Sequence, residues 1–246
     1  MESKKLYVIS SLHQAEGQSW ETIDKIENIR EIRMLVIEAI ARTIQTGGIF
    51  IDGSTAKDAT EDNKIIDEES LDDIKSRNSI AFAMRYIDPK KFDIGKTYEL
   101  FKCLRQDGLK FEFKHTEDCE MSEVMEFYRP LIEADPEFQE FIKTCKSQEE
   151  FSEFIFKKFL ELRDKRIINN IITNGEDENI LFIGSDHELA DLEASQLDFY
   201  RVEVSMNVET VLITGKLPVK FESNLRKFVT EMTDEGGKVE IDIRYI

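Results

Sequence analysis

Three histidines and one aspartate are the residues whose positions could support chemistry. The chain has 246 residues and only three histidines, His13, His115 and His187, and each follows a run typical of a β-strand. Asp52 ends another such run. Because the carboxyl ends of parallel strands meet at one edge of an α/β sheet, these side chains could share a site. Imidazole moves protons near neutral pH or ligates a divalent metal, and a neighbouring carboxylate orients the ring or activates water.

Each of these residues also has a structural alternative. His187 follows a Gly-Ser-Asp turn between a strand and a helix, which favours a functional role over a capping role. For His13 a functional role and a structural role are equally favoured. His115 ends a run that alternates Phe with charge, which is typical of an edge strand, so a structural role is favoured there. Asp52 precedes a glycine, as many turn aspartates do.

A β-α-β unit places the first of these residues. Lys5–Leu12 is a β-rich run, and apolar residues then recur at helical spacing from Ile26 to Ile44. Gly47–Gly48 is expected to end that helix as a left-handed cap, and the strand Ile49–Ile51 follows. Two strands joined by a helix in this way are expected to be parallel.

The remaining elements follow from the same periodicities. The polar, acidic residues 56–72 are expected to form a mobile loop. Further helices are predicted at 71–87, 98–106, 147–173, 188–195 and 223–233, and further strands at 109–115, 179–183, 199–204, 208–214 and 238–245. The fold class is therefore α/β, with a mostly parallel central sheet and flanking helices. Residues 1–205 form the main α/β domain, and 206–246 form a β-α-β extension that could belong to the same sheet.

Composition excludes several classes of protein. Asp and Glu number 51 against 33 Lys and Arg, a net charge of −18, which argues against binding to nucleic acid or to an anionic membrane surface. No apolar run approaches the ~20 residues of a membrane span, and Met1–His13 lacks the features of a signal peptide. Three cysteines without metal-type spacing predict reduced thiols in a cytoplasmic protein. Cys119, close to His115, could act as a nucleophile, but this spacing is not specific.

Two short motifs resemble the TraB/Tiki/ChaN/erythromycin-esterase superfamily. One is Arg163-Asp164 on a helix, followed by a strand that ends in Gly-Ser-Asp-His187; the other is Ser10-Ser-Leu-His13. The resemblance implies that His13 and His187 are paired histidines, that Asp52 is the acid of the second strand and that Arg163 is an inward-facing arginine. Arg77-Asn78 is a competing match for that arginine. The chain departs from the family pattern in having Ser10 for a glycine, Leu12 for a glutamate and Asp52 for a longer acid.

The expected function is hydrolysis of an amide or ester bond in a small-molecule or peptide substrate. His13 and His187 would hold a divalent metal ion or act as a general base and its partner, Asp52 would orient a ring or a water, and Arg163 would stabilise negative charge. The alternative is a non-catalytic module that binds a protein partner or a second copy of itself. A nucleotide-processing enzyme has no motif in its favour, because the chain lacks a P-loop and GxGxxG.

Overall fold

The computed structural model describes residues 3–11, 20–83, 89–120, 123–192, 195–207, 210–234 and 238–246. Within these ranges the strands are β1 (Lys4–Ser11), β2 (Thr46–Ile51), β3 (Lys110–Lys114), β4 (Glu178–Gly184), β5 (Leu197–Asn207), β6 (Thr210–Leu217) and β7 (Lys238–Tyr245). The helices are α1 (Trp20–Ile44), α2 (Ala56–Glu68), α3 (Leu71–Ala83), α4 (Pro89–Gln106), α5 (Val124–Ala134), α6 (Pro136–Thr144), α7 (Gln148–Asn174) and α8 (Glu222–Asp234). Short 3₁₀ turns occupy Ala190–Leu192 and Val219–Phe221.

The strands form one seven-stranded sheet in the order β3-β2-β4-β1-β5-β6-β7. The first five in this order are mutually parallel, whereas β6 is antiparallel to β5 and β7 is parallel to β6. The α/β class and the mostly parallel sheet are therefore confirmed. The C-terminal β6-α8-β7 unit extends the same sheet.

The apolar runs of β1 and β4 explain why these strands lie inside the sheet. Leu6, Val8 and Leu181 pack against Ile167 and Ile171 of α7 on one face. Tyr7, Ile9 and Ile180 contribute to the larger core on the other face, which α1, α4 and α8 cover. Strands buried on both faces are expected to be almost continuously apolar, as these two are. The carboxyl ends of β1, β2, β3 and β4 consequently open at one edge between the two helical layers.

The prediction of a loop at 56–72 is wrong, because most of this segment is the helix α2. Thr55 caps the helix through a reciprocal pair of hydrogen bonds with Asp58. Ala59, Asp62 and Ile66 form its buried face. Only two of these three residues are apolar, so the periodicity of the segment is faint in the sequence, although the capping box is present.

The expected glycine cap after α1 is also wrong in its detail. Gln45 takes the left-handed conformation there, with φ of 67°, and its N–H donates to the carbonyl oxygen of Ala41. Gly47 and Gly48 instead lie in β2. A Cβ atom on Gly47 would stand 2.3 Å from the carbonyl oxygen of Glu178, so this glycine permits close approach of β2 to the start of β4.

Smaller differences concern the ends of the predicted elements. The helix expected at 98–106 begins earlier, at Pro89, and the helix expected at 188–195 is only the 3₁₀ turn Ala190–Leu192 within its described residues. The end of the helix expected at 71–87 lies outside the described residues beyond position 83. None of the described helices has both the length and the apolar character needed to cross a membrane.

Candidate active site

Arg163 is a buried cation held between two carboxylates. It projects from α7 and only 5% of its surface is exposed. Its Nη2 lies 2.5 Å from Oδ1 of Asp52, and its Nε lies 2.5 Å from Oε1 of Glu117. Burial alone lowers the pKa of the guanidinium, but attraction to the two carboxylates outweighs this effect and raises the pKa of Arg163 above its ordinary value. Arg163 is therefore charged at any physiological pH.

His187 lies next to this arginine, and each of its two ring nitrogens faces a carboxylate. Its Nδ1 is hydrogen-bonded to Oδ1 of Asp164. Its Nε2 lies 3.4 Å from Nη1 of Arg163 and 3.6 Å from Oδ2 of Asp52. Burial leaves only 3% of His187 exposed and by itself lowers the pKa of the ring, yet Asp164 and Asp52 together raise that pKa to about 9. At neutral pH the ring is consequently protonated.

A glycine turn and a backbone hydrogen-bond pair place the two carboxylates that bind Arg163. Asp52 and Gly53 form the tip of a turn closed by the Ser54 N–H and the Ile51 carbonyl oxygen, and Gly53 has a φ of 76°. The carbonyl oxygen of Ser54 accepts from the N–H groups of Thr116 and Glu117, both at 2.9 Å. The ends of β2 and β3 are thus tied together, and their two acids face the same guanidinium.

The chain after β3 runs along α7, which explains how Glu117 reaches the cluster. Asn170 of α7 donates to the carbonyl oxygen of Thr116 at 3.0 Å, and Arg166 forms an ion pair with Asp118. Glu117 lies between these contacts with its side chain fully buried. Burial raises the pKa of Glu117, and the attraction of Arg163 offsets part of that increase.

The backbone around His187 is strained, and the side chains of Asp164 and Arg201 hold it in place. Leu189 has a φ of 52°, a left-handed conformation that costs a branched residue ~1–2 kcal/mol. Its N–H donates to Oδ2 of Asp164 at 2.9 Å, so Asp164 fixes both the ring of His187 and the strained residue that follows. Arg201 of β5 donates to the carbonyl oxygens of His187 and Glu188. Strain held in this way is a frequent property of functional sites.

The structure brings Asp52, Arg163 and His187 together, and their catalytic roles stay predictions. His13 lies outside the described residues, so its proposed pairing with His187 stays a prediction. His115 contacts Asn174 near the end of α7, at 3.5 Å. The competing Arg77 of α3 is half-exposed and forms an ion pair with Glu69, which directly follows α2.

Glu117 and Asp164 were not predicted as site residues. Asp164 stands in the quoted Arg-Asp motif, but a helix normally turns neighbouring residues in different directions, and no role was assigned to it. Glu117 follows a predicted strand, just as Asp52 does, and its place in His115-Thr-Glu-Asp is the feature that could have identified it. With these two residues the cluster contains three carboxylates, one guanidinium and one imidazolium.

The described residues of this cluster place a guanidinium beside the ring nitrogen of His187 that a metal ion would use. The Nε2 of His187 carries a proton at neutral pH and faces Nη1 of Arg163 at 3.4 Å, so a cation bound there would stand next to a guanidinium. Within the described ranges, no group of three or more His, Cys, Asp or Glu side chains is arranged to hold a metal.

Comparison of the chain with family models, curated proteins and solved structures finds no match.

Proposed function

We propose that the protein is a hydrolase that cleaves an amide or ester bond by acid–base chemistry at the cluster around His187. The observation that carries the proposal is the geometry of that ring. A buried, protonated imidazole is oriented by Asp164 on Nδ1 and presents Nε2 toward Asp52 and Arg163. A carboxylate on Nδ1 is the arrangement that fixes a catalytic histidine in other hydrolytic sites.

The charges suggest a division of roles within the site. Asp52, whose Oδ2 is 3.6 Å from Nε2 of His187, would take a proton from the attacking water. Protonated His187 would give its Nε2 proton to the leaving oxygen or nitrogen, so that water adds to the carbonyl carbon as the ester or amide bond breaks. Arg163 would stabilise the negative charge that develops on the carbonyl oxygen. Asp164 and Glu117 would act as positioning residues for His187 and Arg163.

This assignment predicts a specific pH dependence. Because the reaction requires protonated His187, whose pKa is about 9, we expect kcat/KM to fall as the pH rises through that value. A site in which His187 acts as the base would show the opposite slope. The profile of p-nitrophenyl acetate hydrolysis, corrected for the spontaneous reaction, distinguishes the two.

His187→Gln tests the proposal directly, with His115→Gln as the matched control. Loss of an acid–base group is expected to lower kcat/KM about 10²–10⁴-fold, whereas His115→Gln leaves it unchanged. p-Nitrophenyl acetate and an acyl p-nitroanilide are suitable probes for ester and amide cleavage. Equal rates for wild type and His187→Gln would contradict the proposal.

Elemental analysis tests the metal-assisted version that the sequence predicted. A stoichiometric divalent metal lost in both His13→Ala and His187→Ala would place the two histidines in one metal site and replace the acid–base assignment.

We also infer a cytoplasmic location, since Cys103, Cys119 and Cys145 are free thiols.

A non-catalytic binding module is the second candidate, and exposed apolar side chains on α5, α6 and α7 favour it. Met125, Phe127, Leu131, Ile142 and Phe156 are each at least 41% exposed. Exposed apolar groups concentrated in one region are a common mark of contact with another protein. If no probe is hydrolysed faster by the wild type than by His187→Gln, this candidate takes precedence. A change in sedimentation on Phe156→Ser would then test self-association.

A further inference from the structure

Three basic side chains lie in one row across the strands β5, β6 and β7. Lys216 is directly paired with Arg244 in the parallel β6–β7 ladder. On the other side of β6, Val202 of β5 pairs with Gly215 in an antiparallel ladder. The residue before Val202, Arg201, therefore stands opposite the residue after Gly215, Lys216. Paired residues point to the same face of a sheet, and this face carries the exposed Lys216 and Arg244. Like charges directly opposite one another destabilise a sheet, and here the carboxylates of Glu203 and Asp242, paired with Thr214 in the next row, offset part of that repulsion.

A cavity of about 400 Å³ lies over this part of the row. Its lining residues are Phe199, Tyr200, Arg201, Glu203, Thr214, Gly215 and Lys216. The volume is at the lower end of the range typical of small-molecule sites. Phe199 is 36% exposed beside the cations, and Thr214 offers a hydroxyl group. The carboxylate of Glu203 restricts an anionic group to the side of the cavity near Arg201 and Lys216.

We propose that this cavity binds a small anionic ligand, a phosphate ester or carboxylate on a planar apolar body. Its anionic group lies over Arg201 and Lys216 with Arg244 next to them, and its planar body contacts Phe199. Three of the five N–H groups of Arg201 donate to Ser10, His187 and Glu188, which leaves two that could donate to the oxygens of an oxyanion. In a chain with a net charge of −18, general attraction of anions is weak, so saturable binding would reflect this local arrangement.

The proposed ligand would lie one side chain away from the His187 site. Arg201 donates through Nη2 to the carbonyl oxygen of His187 at 3.0 Å and through Nε to Oγ of Ser10 at 3.4 Å. These partners are uncharged oxygens, so the charge of the guanidinium stays available to an anion. Binding of an anion in this cavity does not require His187 to catalyse hydrolysis.

Isothermal titration calorimetry with phenyl phosphate, benzoate and inorganic phosphate tests the site at neutral pH and low ionic strength. We expect saturable binding of phenyl phosphate and weaker binding of inorganic phosphate, which lacks a group to contact Phe199. Lys216→Gln and Arg244→Gln are each expected to weaken phenyl phosphate about three- to tenfold. Comparison of benzoate with phenyl phosphate identifies which anionic group the site prefers.

Lys238→Gln is the matched control. Lys238 begins β7, the strand that also carries Arg244, so this substitution removes one positive charge from the same strand but far from the cavity. It is expected to leave binding unchanged. Phe199→Leu is expected to reduce the preference for phenyl phosphate over inorganic phosphate while leaving phosphate binding intact. Absence of saturable binding to the wild type, or equal weakening by Lys216→Gln and Lys238→Gln, would overturn the proposal.

Discussion

At the scale of single residues, the cluster depends on charges that balance one another away from water. A buried guanidinium is unfavourable unless carboxylates accompany it, and Arg163 has one on each side, Asp52 and Glu117. The three groups therefore act as a unit. Removal of one leaves the others buried with uncompensated charge, which is more costly than removal of the whole set.

Arg163→Met is expected to lower the free energy of unfolding by about 3–5 kcal/mol, since it leaves Glu117 buried opposite an uncharged side chain. Urea denaturation of the purified variant provides the measurement. Arg166→Met is the control, because Arg166 is on the same helix but 45% exposed in its ion pair with Asp118, and it should cost less than about 1 kcal/mol. The double variant Arg163→Met/Glu117→Gln should regain part of the loss. Equal effects of the two single variants would show that burial of the pair is unimportant.

The sequence identified the ends of the strands but not the full partner set of each charged residue. Asp52 and His187 could be predicted because each follows a strong strand pattern, whereas Arg163 was expected only from the resemblance of its Arg-Asp motif to a family pattern. Glu117 also follows a predicted strand, but it contacts Arg163 because residues 115–118 run along α7, a tertiary packing that the local pattern does not express. Burial lowers the pKa of His187, and its contacts with Asp164 and Asp52 raise it; no local sequence pattern shows these contacts either.

At the scale of elements, the segment between α1 and β2 shows why the prediction that Gly47 and Gly48 cap α1 was wrong. Glycines after a helical stripe usually form its cap. Here Gln45 takes the left-handed position, and the glycines are needed by the sheet, where Gly47 faces the carbonyl oxygen of Glu178. Such long-range proximity is invisible in a local pattern, so the end of α1 was predicted nearly correctly but for the wrong reason.

Gln45→Gly is expected to raise the free energy of unfolding by up to about 1 kcal/mol, because glycine adopts a φ of 67° without the steric strain of a side chain. Gly47→Ala should have the opposite effect, a loss of about 1–3 kcal/mol, because its Cβ would overlap a backbone oxygen. Thermal and urea denaturation of both variants measure the difference. A destabilised Gln45→Gly would mean that the side chain of Gln45 contributes more than its conformation costs.

The packing of α2 on α4 buries Asp62, which lies in the segment that the sequence predicted to be a mobile loop. Asp62 accepts a hydrogen bond from the hydroxyl group of Tyr98, and burial raises the pKa of Asp62 to about 6. The folded state therefore holds the proton of Asp62 more tightly than the unfolded chain does. The contribution of protonated Asp62 to the free energy of unfolding is complete below pH ~4 and is lost as the pH rises through ~6.

Asp62→Asn removes that titration while keeping an acceptor for Tyr98. We expect the variant to be about 2–3 kcal/mol more stable than wild type above pH ~7 and closely similar below pH ~4. Urea denaturation at both pH values makes the comparison. A variant less stable than the wild type at the higher pH would show that the carboxylate of Asp62 is favourable in its ionised form.

At the scale of the whole molecule, the strand order decides which residues meet. The apolar strands were predicted from their composition, but the neighbours β4 and β1 are about 170 residues apart along the chain, as are the paired Tyr7 and Ile180. This order places the ends of β2, β3 and β4 around one helix, α7, whose inward face supplies Arg163 and Asp164. The site thus follows from an arrangement of several distant segments, and the sequence alone indicated only that their carboxyl ends share an edge.

The global stability of the fold is expected to depend on the protonation of His187. Its pKa is about 9 in the folded protein against about 6.5 in an unfolded chain, so protonation favours folding. This contribution is complete below pH ~6.5 and is lost as pH rises through ~9, and the shift corresponds to about 3 kcal/mol. In His187→Gln the fall in the free energy of unfolding between these pH values should largely disappear, whereas His115→Gln should retain it. Urea denaturation at a series of pH values measures the slope, and a wild type with a flat profile across this window would show that Asp164 and Asp52 do not hold His187 in its charged form.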